Sequence, residues 1–175
     1  NTTNNVLVRD VTMNGIFFNP GAGGGLRINN FALVDSTVGP WNQSGGQASE
    51  PVYMQTCGSS CTFVGTNIVF DNVTWEDITV PAGPEPHTEA LRIDGGYDGV
   101  TLRNSSMYDN INLTTGSILI TTLGISSPSR NITIKNNYFG TNGAAFFTLV
   151  PGGPTCVGLV VAYNTFLEEP WPHAC

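Results

Sequence analysis

NITIKNNYF, Asn131 to Phe139, is a nine-residue pattern with apolar residues at its second, fourth and ninth positions and a polar residue at its sixth. Five more stretches follow it: NVLVRDVTM from Asn5, NFALVDSTV from Asn30, NIVFDNVTW from Asn67, GVTLRNSSM from Gly99 and GLVVAYNTF from Gly158. The second position holds Val6, Phe31, Ile68, Val100, Ile132 and Leu159; the fourth holds Val8, Leu33, Phe70, Leu102, Ile134 and Val161. The ninth holds Met13, Val38, Trp75, Met107, Phe139 and Phe166, so every one of these places is apolar. The sixth reads Asp10, Asp35, Asn72, Asn104, Asn136 and Tyr163. Successive copies start 25, 37, 32, 32 and 27 residues apart, a spacing that marks a stacked repeat.

Alternation of this kind belongs to a strand rather than a helix. Asn and Asp at one fixed place suit a bend, because their side chains bond nearby backbone and tolerate left-handed geometry. Stacked bends would also let the Asn amides bond along the pile. Second apolar patches follow the copies (IFF, VYM, ALRI, ILIT, FFTL), which predicts a second parallel sheet. Outward places in the pattern include the fifth, where Asp71, Arg103 and Lys135 should form a charged ladder on adjacent layers. The third place (Leu7, Ala32, Val69, Thr101, Thr133, Val160) is a partly apolar outward stripe.

These copies resemble the right-handed parallel β-helix of the pectate-lyase-like superfamily, and the resemblance spans nearly the whole chain. It implies an all-β solenoid of about six to seven coils, one domain over residues 1–175. Read from the residues, Asn1–Asn5 is too short and polar to cap the front end, which is expected to be uncapped. HTEALRI, from His87, is similar to an HTE-x-L motif of secreted bacterial right-handed β-helix proteins and implies architecture more than activity. The NTD, DD, GHG and RIK motifs of polygalacturonases are absent. Pectate lyases combine an acidic calcium cluster with an arginine base. That resemblance directs attention to Arg92 or Arg103 with Asp71, Asp94 and Asp109, and to Ca²⁺ as a cofactor; which residues would hold the metal is left open.

Composition narrows the function classes. Only 11% of residues are charged and the net charge is -7, with six lysines and arginines in all. Nucleic-acid binding needs a clustered cationic surface and is not expected. No apolar run is long enough to span a membrane as a helix. Four cysteines point to an exported protein, secreted or at the cell surface. They allow three pairings; the favoured one joins Cys57 to Cys61 and Cys156 to Cys175. Sequons at Asn1, Asn42, Asn72, Asn104, Asn112 and Asn131 are largely a by-product of the repeat.

Chemistry concentrates in PEPHTEALRIDGGYDG, where His87, Glu89, Arg92 and Asp94 fall within eight residues of a charge-poor chain. With Leu91 and Ile93 inward, Arg92 and Asp94 become exposed neighbours and Glu89 turns toward the core. As an enzyme the chain would be a polysaccharide lyase, with His87 or Arg92 as base, or a glycoside hydrolase, with Glu89 paired to Asp94 or Glu76. The alternative for the same residues is a structural ion network at a corner. Trp41, expected in an exposed loop, is a sugar-stacking candidate beside Asp71, Arg103 and Lys135. Two functions follow as expectations: a secreted protein that binds or processes a polysaccharide on its outer face, or a structural subunit whose layers stack end to end with other copies.

Overall fold

The computed structural model describes residues 2–19, 27–42, 50–55, 64–79, 89–108, 116–121, 128–140 and 157–167, and the backbone alone of 147–149. Among these residues there are strands and no helix, and every strand pairing is parallel. Such an arrangement is compatible with a β-helix or solenoid.

One sheet carries the repeat. Its main strands are β1 (Thr2–Arg9), β4 (Arg27–Val38), β7 (Gly65–Trp75), β10 (Tyr97–Arg103), β13 (Arg130–Lys135) and β16 (Val160–Ala162), each paired with the next. Shorter strands continue past the bend: β2 (Thr12–Met13), β11 (Ser106–Tyr108), β14 (Tyr138–Gly140) and β17 (Thr165–Phe166). The six copies lie in the register their alignment predicts. At the fourth position Val8 pairs with Leu33, Leu33 with Phe70, Phe70 with Leu102, Leu102 with Ile134 and Ile134 with Val161. At the ninth, Met13 pairs with Val38, Val38 with Trp75, Trp75 with Met107, Met107 with Phe139 and Phe139 with Phe166.

The second patches form a separate parallel sheet, in the order β15 (Phe147–Leu149), β12 (Gly116–Thr121), β9 (Glu89–Ile93), β6 (Val52–Met54) and β3 (Ile16–Phe18). A third, two-stranded sheet pairs β5 (Trp41–Asn42) with β8 (Ile78–Thr79). It has no counterpart in the sequence reading, because two-residue strands carry no periodicity to detect. The core lies between the two large sheets: Phe18 of one meets Phe31 of the other edge-on, ring centres 5.0 Å apart.

The bend at the sixth position is left-handed in all six copies, with φ between 50° at Asp35 and 57° at Tyr163. A second left-handed residue, not anticipated from sequence, opens every copy: Asn5, Asn30, Asn67, Gly99, Asn131 and Gly158. Only Asn, Asp and Gly adopt this geometry cheaply, which explains why each copy starts with Asn or Gly. The side chains left over at these bends bond along the stack. Asn30 donates to Asn5 and Asn67 to Asn30, both at 2.9 Å. At the sixth position Asn72 donates to Asp35 at 2.8 Å and Asn136 to Asn104 at 2.7 Å. The sequon asparagines Asn72, Asn104 and Asn131 all commit their amide nitrogens in this way.

Inside the bend sits the seventh residue, valine at Val11 and Val73 but polar at Ser36, Ser105, Asn137 and Asn164, where the side chain satisfies backbone of the layer before it. Ser105 accepts from the Val73 amide at 3.0 Å while donating to the Arg103 carbonyl at 2.7 Å. Asn137 is buried, accepts from the Ser105 amide at 3.0 Å and donates to the Leu102 carbonyl at 3.1 Å. Asn164 repeats the arrangement against Asn137 and the Ile134 carbonyl. Buried backbone groups must be paired, and the turn cannot pair these through its own strand bonds. Asn137→Ala should therefore strand two buried groups and destabilise the fold by about 2–4 kcal/mol. Asn136→Gly, which keeps the left-handed bend, should cost less than about 1 kcal/mol. Chemical denaturation of the two variants would show this difference.

Candidate functional site

The outer face of the second sheet gathers the chemistry. In register, Phe17, Tyr53, Arg92 and Leu119 occupy one outward column across β3, β6, β9 and β12. Val52, Met54, Leu91, Ile93, Ile118 and Ile120 alternate inward and are buried. On β12 the outward Ser117, Leu119 and Thr121 are buried as well, so this face opens toward Phe17, Tyr53 and Arg92. Phe17 is 55% exposed, and its ring stacks on Tyr53 with centres 5.3 Å apart. On the other side of Tyr53, the Arg92 guanidinium lies over the ring, 4.9 Å from its centre.

Two carboxylates hold that guanidinium. Arg92 Nε donates to Asp94 Oδ1 at 2.9 Å, and Nη1 donates to Glu50 Oε1 at 3.1 Å. The Tyr53 hydroxyl donates to Asp94 Oδ2 at 2.8 Å, so both oxygens of Asp94 are engaged. Both carboxylates are buried and Arg92 is partly exposed. The expectation that Arg92 and Asp94 are exposed neighbours is thus met for their contact and corrected for their exposure. The neighbouring layer supplies Tyr53 and Glu50, which strand alternation within one segment does not anticipate.

Electrostatics keep Arg92 and Tyr53 each in one protonation state around neutral pH. Burial alone would lower the Arg92 pKa, but Asp94 and Glu50 raise it above the ordinary arginine value, so Arg92 stays charged. Burial and the adjacent Asp94 both push the Tyr53 hydroxyl up. Burial does the same for Tyr97, whose hydroxyl donates to the Gln55 carbonyl at 2.9 Å. A permanently charged Arg92 and a doubly engaged Asp94 are poorly suited to moving protons and well suited to presenting a rigid surface.

The remaining candidates are dispersed. Glu89 is wholly buried on the same strand face as Leu91 and Ile93, turned toward the core as expected. Glu76 accepts a hydrogen bond from the Tyr108 hydroxyl at 3.0 Å. Asp71, Arg103 and Lys135 do lie on adjacent layers in register, on the other sheet. Arg103 meets Asp71 at 2.6 Å. Partial burial would raise the Asp71 pKa, but hydrogen bonds from Arg103 and Asn104, with the charge of Arg103, outweigh it and hold the carboxyl below its ordinary value. Trp41 departs from the expected exposed loop: it is half-buried in β5 and its indole edges the core. Asp71 lies in β7 of the first sheet and Asp94 just past the end of β9 in the second, and no set of three potential metal ligands converges among the described residues. Among the described residues, Asp71 and Asp94 therefore do not share one donor set. His87, Asp109 and the cysteines Cys57, Cys61, Cys156 and Cys175 lie outside the described residues.

Sequence reading missed Glu50, Tyr53 and Phe17. The signal was present in aligning the second patches: IFF, VYM and LRI place Phe17, Tyr53 and Arg92 at the same middle position. No helix among the described residues is long and apolar enough to cross a membrane. No protein-family model, curated protein or solved structure matches the chain.

The raised tyrosines set an alkaline limit. A folded-state pKa above the unfolded value gives stability that is complete below the unfolded pKa and lost as pH rises through the folded one. Two of the five tyrosines, Tyr53 and Tyr97, should ionise late relative to the ordinary 10.0 in a near-ultraviolet pH titration. Stability should fall as pH climbs past that value, and Tyr53→Phe combined with Tyr97→Phe should flatten the fall.

Proposed function

We propose that the chain winds as a right-handed parallel β-helix of six to seven coils, of the pectate-lyase-like kind, and acts outside the cell by binding a polysaccharide on its outer face. The in-register pairing of six copies supports the winding. The observation that carries the function is the Phe17–Tyr53 ring stack continuing into Arg92, Asp94 and Glu50 on the outer face of the second sheet. Aromatic rings offer an apolar face to the C–H side of a sugar, and rigid polar groups beside them orient its hydroxyls. The surface is preorganised because neighbouring layers lock Arg92 and Tyr53, which limits the ordering cost of binding. Within this reading Arg92 and Asp94 hold the platform rather than exchange protons.

Binding measured by titration calorimetry against a panel of soluble polysaccharides tests this. Phe17→Ala and Tyr53→Ala should each weaken the bound member by about tenfold or more, for a loss of roughly 1.5–3 kcal/mol per ring. Circular dichroism should show the sheets intact. Unchanged affinity in both variants would remove the platform from the site.

A second reading, assembly through stacked copies, is favoured by a separate observation. The large exposed apolar side chains concentrate in the first copy and its following patch (Leu7, Phe17) and around the last copy (Val157, Val160, Val161, Tyr163, Leu167). The interior-facing Val6, Val8, Leu159 and Phe166 are only partly buried. A second copy laid on the last layer would repeat the register that joins every pair of layers within the chain, and head-to-tail contacts of this kind do not close. Val161→Lys together with Val8→Lys should then abolish any large species seen by light scattering. If the unsubstituted chain is monomeric at high concentration, this reading fails.

A further inference from the structure

Resting on the polysaccharide-binding reading, we propose that the polymer taken at this platform is an amino-sugar polysaccharide carrying protonated amines, not a uronate or sulfated one. The distribution of charge carries the inference. All six lysines and arginines of the chain lie in described positions, and Arg9, Arg27, Arg103, Arg130 and Lys135 belong to strands of the first sheet. Arg92 is the sole arginine or lysine on the second sheet. Its charge is already matched, because Asp94 and Glu50 both contact it, at 2.9 Å and 3.1 Å. Two carboxylates against one guanidinium leave the platform with a surplus negative charge. Glu50 Oε2, one of the four carboxylate oxygens in this group, is buried with no hydrogen-bond partner.

An anionic polymer stacked on Phe17 and Tyr53 would meet that surplus with no arginine or lysine of the second sheet left to pair with it. An uncharged polymer would gain the ring contacts alone. A polymer with ammonium groups would gain the ring contacts and the field of the buried carboxylates, with the π-face of the rings as a further attraction for cations. Because the carboxylates are buried, they act through the field near Arg92 and Tyr53, where screening by water is weakened.

Calorimetric titration of the whole chain with three oligosaccharides of matched length tests this: deacetylated chito-oligosaccharide, its N-acetylated counterpart, and oligogalacturonate. The deacetylated form should bind on the order of tenfold more tightly than the acetylated one at low salt, and the advantage should shrink as salt rises. Oligogalacturonate should bind most weakly. Glu50→Gln, and separately Asp94→Asn in case the first variant folds poorly, should each reduce the advantage of the deacetylated form. Equal affinity for the acetylated and deacetylated forms, or tightest binding of oligogalacturonate, would overturn the inference while leaving polysaccharide binding in place. Undiminished binding of the deacetylated form by Tyr53→Ala would also overturn it, since the attraction would then be diffuse. No binding of any of the three would overturn this inference, and no binding across the wider polysaccharide panel would remove the carbohydrate reading with it.

Discussion

The structure depends on one constraint: each layer must lie on the last in parallel and in register, with its bends in the same places. A slip of one residue would turn every inward side chain outward, because strand side chains alternate faces. Two left-handed residues per copy hold the corners in line. The amide ladders from Asn5 through Asn30 to Asn67, and from Asn104 to Asn136, reward the aligned register and are lost in any other. Under the bends, Ser105, Asn137 and Asn164 pair the backbone that the turn interrupts. Apolar packing thus supplies the drive to stack, and polar side chains at a few fixed places select the register.

The two large sheets divide the work. On the first sheet the same residue types recur layer after layer, and its charges resolve into local pairs such as Arg103 with Asp71 and Arg130 with Asp98. The outward column of the second sheet does not repeat: it runs Phe17, Tyr53, Arg92, Leu119. A repeat architecture needs regularity only at positions that face the core or turn the corner. Where outward residues depart from regularity, the fold has not dictated them, and that is where specific chemistry finds room. The buried carboxylates under Arg92 illustrate the cost of such room. Their desolvation is tolerated because the guanidinium and the Tyr53 hydroxyl satisfy three of their four oxygens.

The strands of the first sheet, their register and the inward residues were legible in the sequence, since a pattern repeated six times leaves few alternatives. So was the second sheet, from its apolar patches, and so was the bend at the sixth position. The left-handed residue opening each copy was visible as Asn or Gly yet needs coordinates to be assigned, because both residue types are common in turns of many kinds. The β5–β8 sheet was too short to leave a signal, and Trp41 was misplaced in consequence. Of the candidate site, Arg92 and Asp94 were legible as neighbours on one segment. Glu50 and Tyr53 were not, because they reach Arg92 from 42 and 39 residues away along the chain.

What the sequence determined by itself is the all-β character, the parallel stacking and the identity of the core, because hydrophobic periodicity is a local property that repeats. Tertiary structure alone decided which polar side chains meet across layers: that Asp94 is shared by Arg92 and Tyr53, that Glu50 is buried beneath the same guanidinium, and that Phe17 is left open at the edge. Such contacts depend on how the loops between copies return the chain to the stack. Loop length changes from copy to copy without any periodic rule, so only the folded chain brings those residues together.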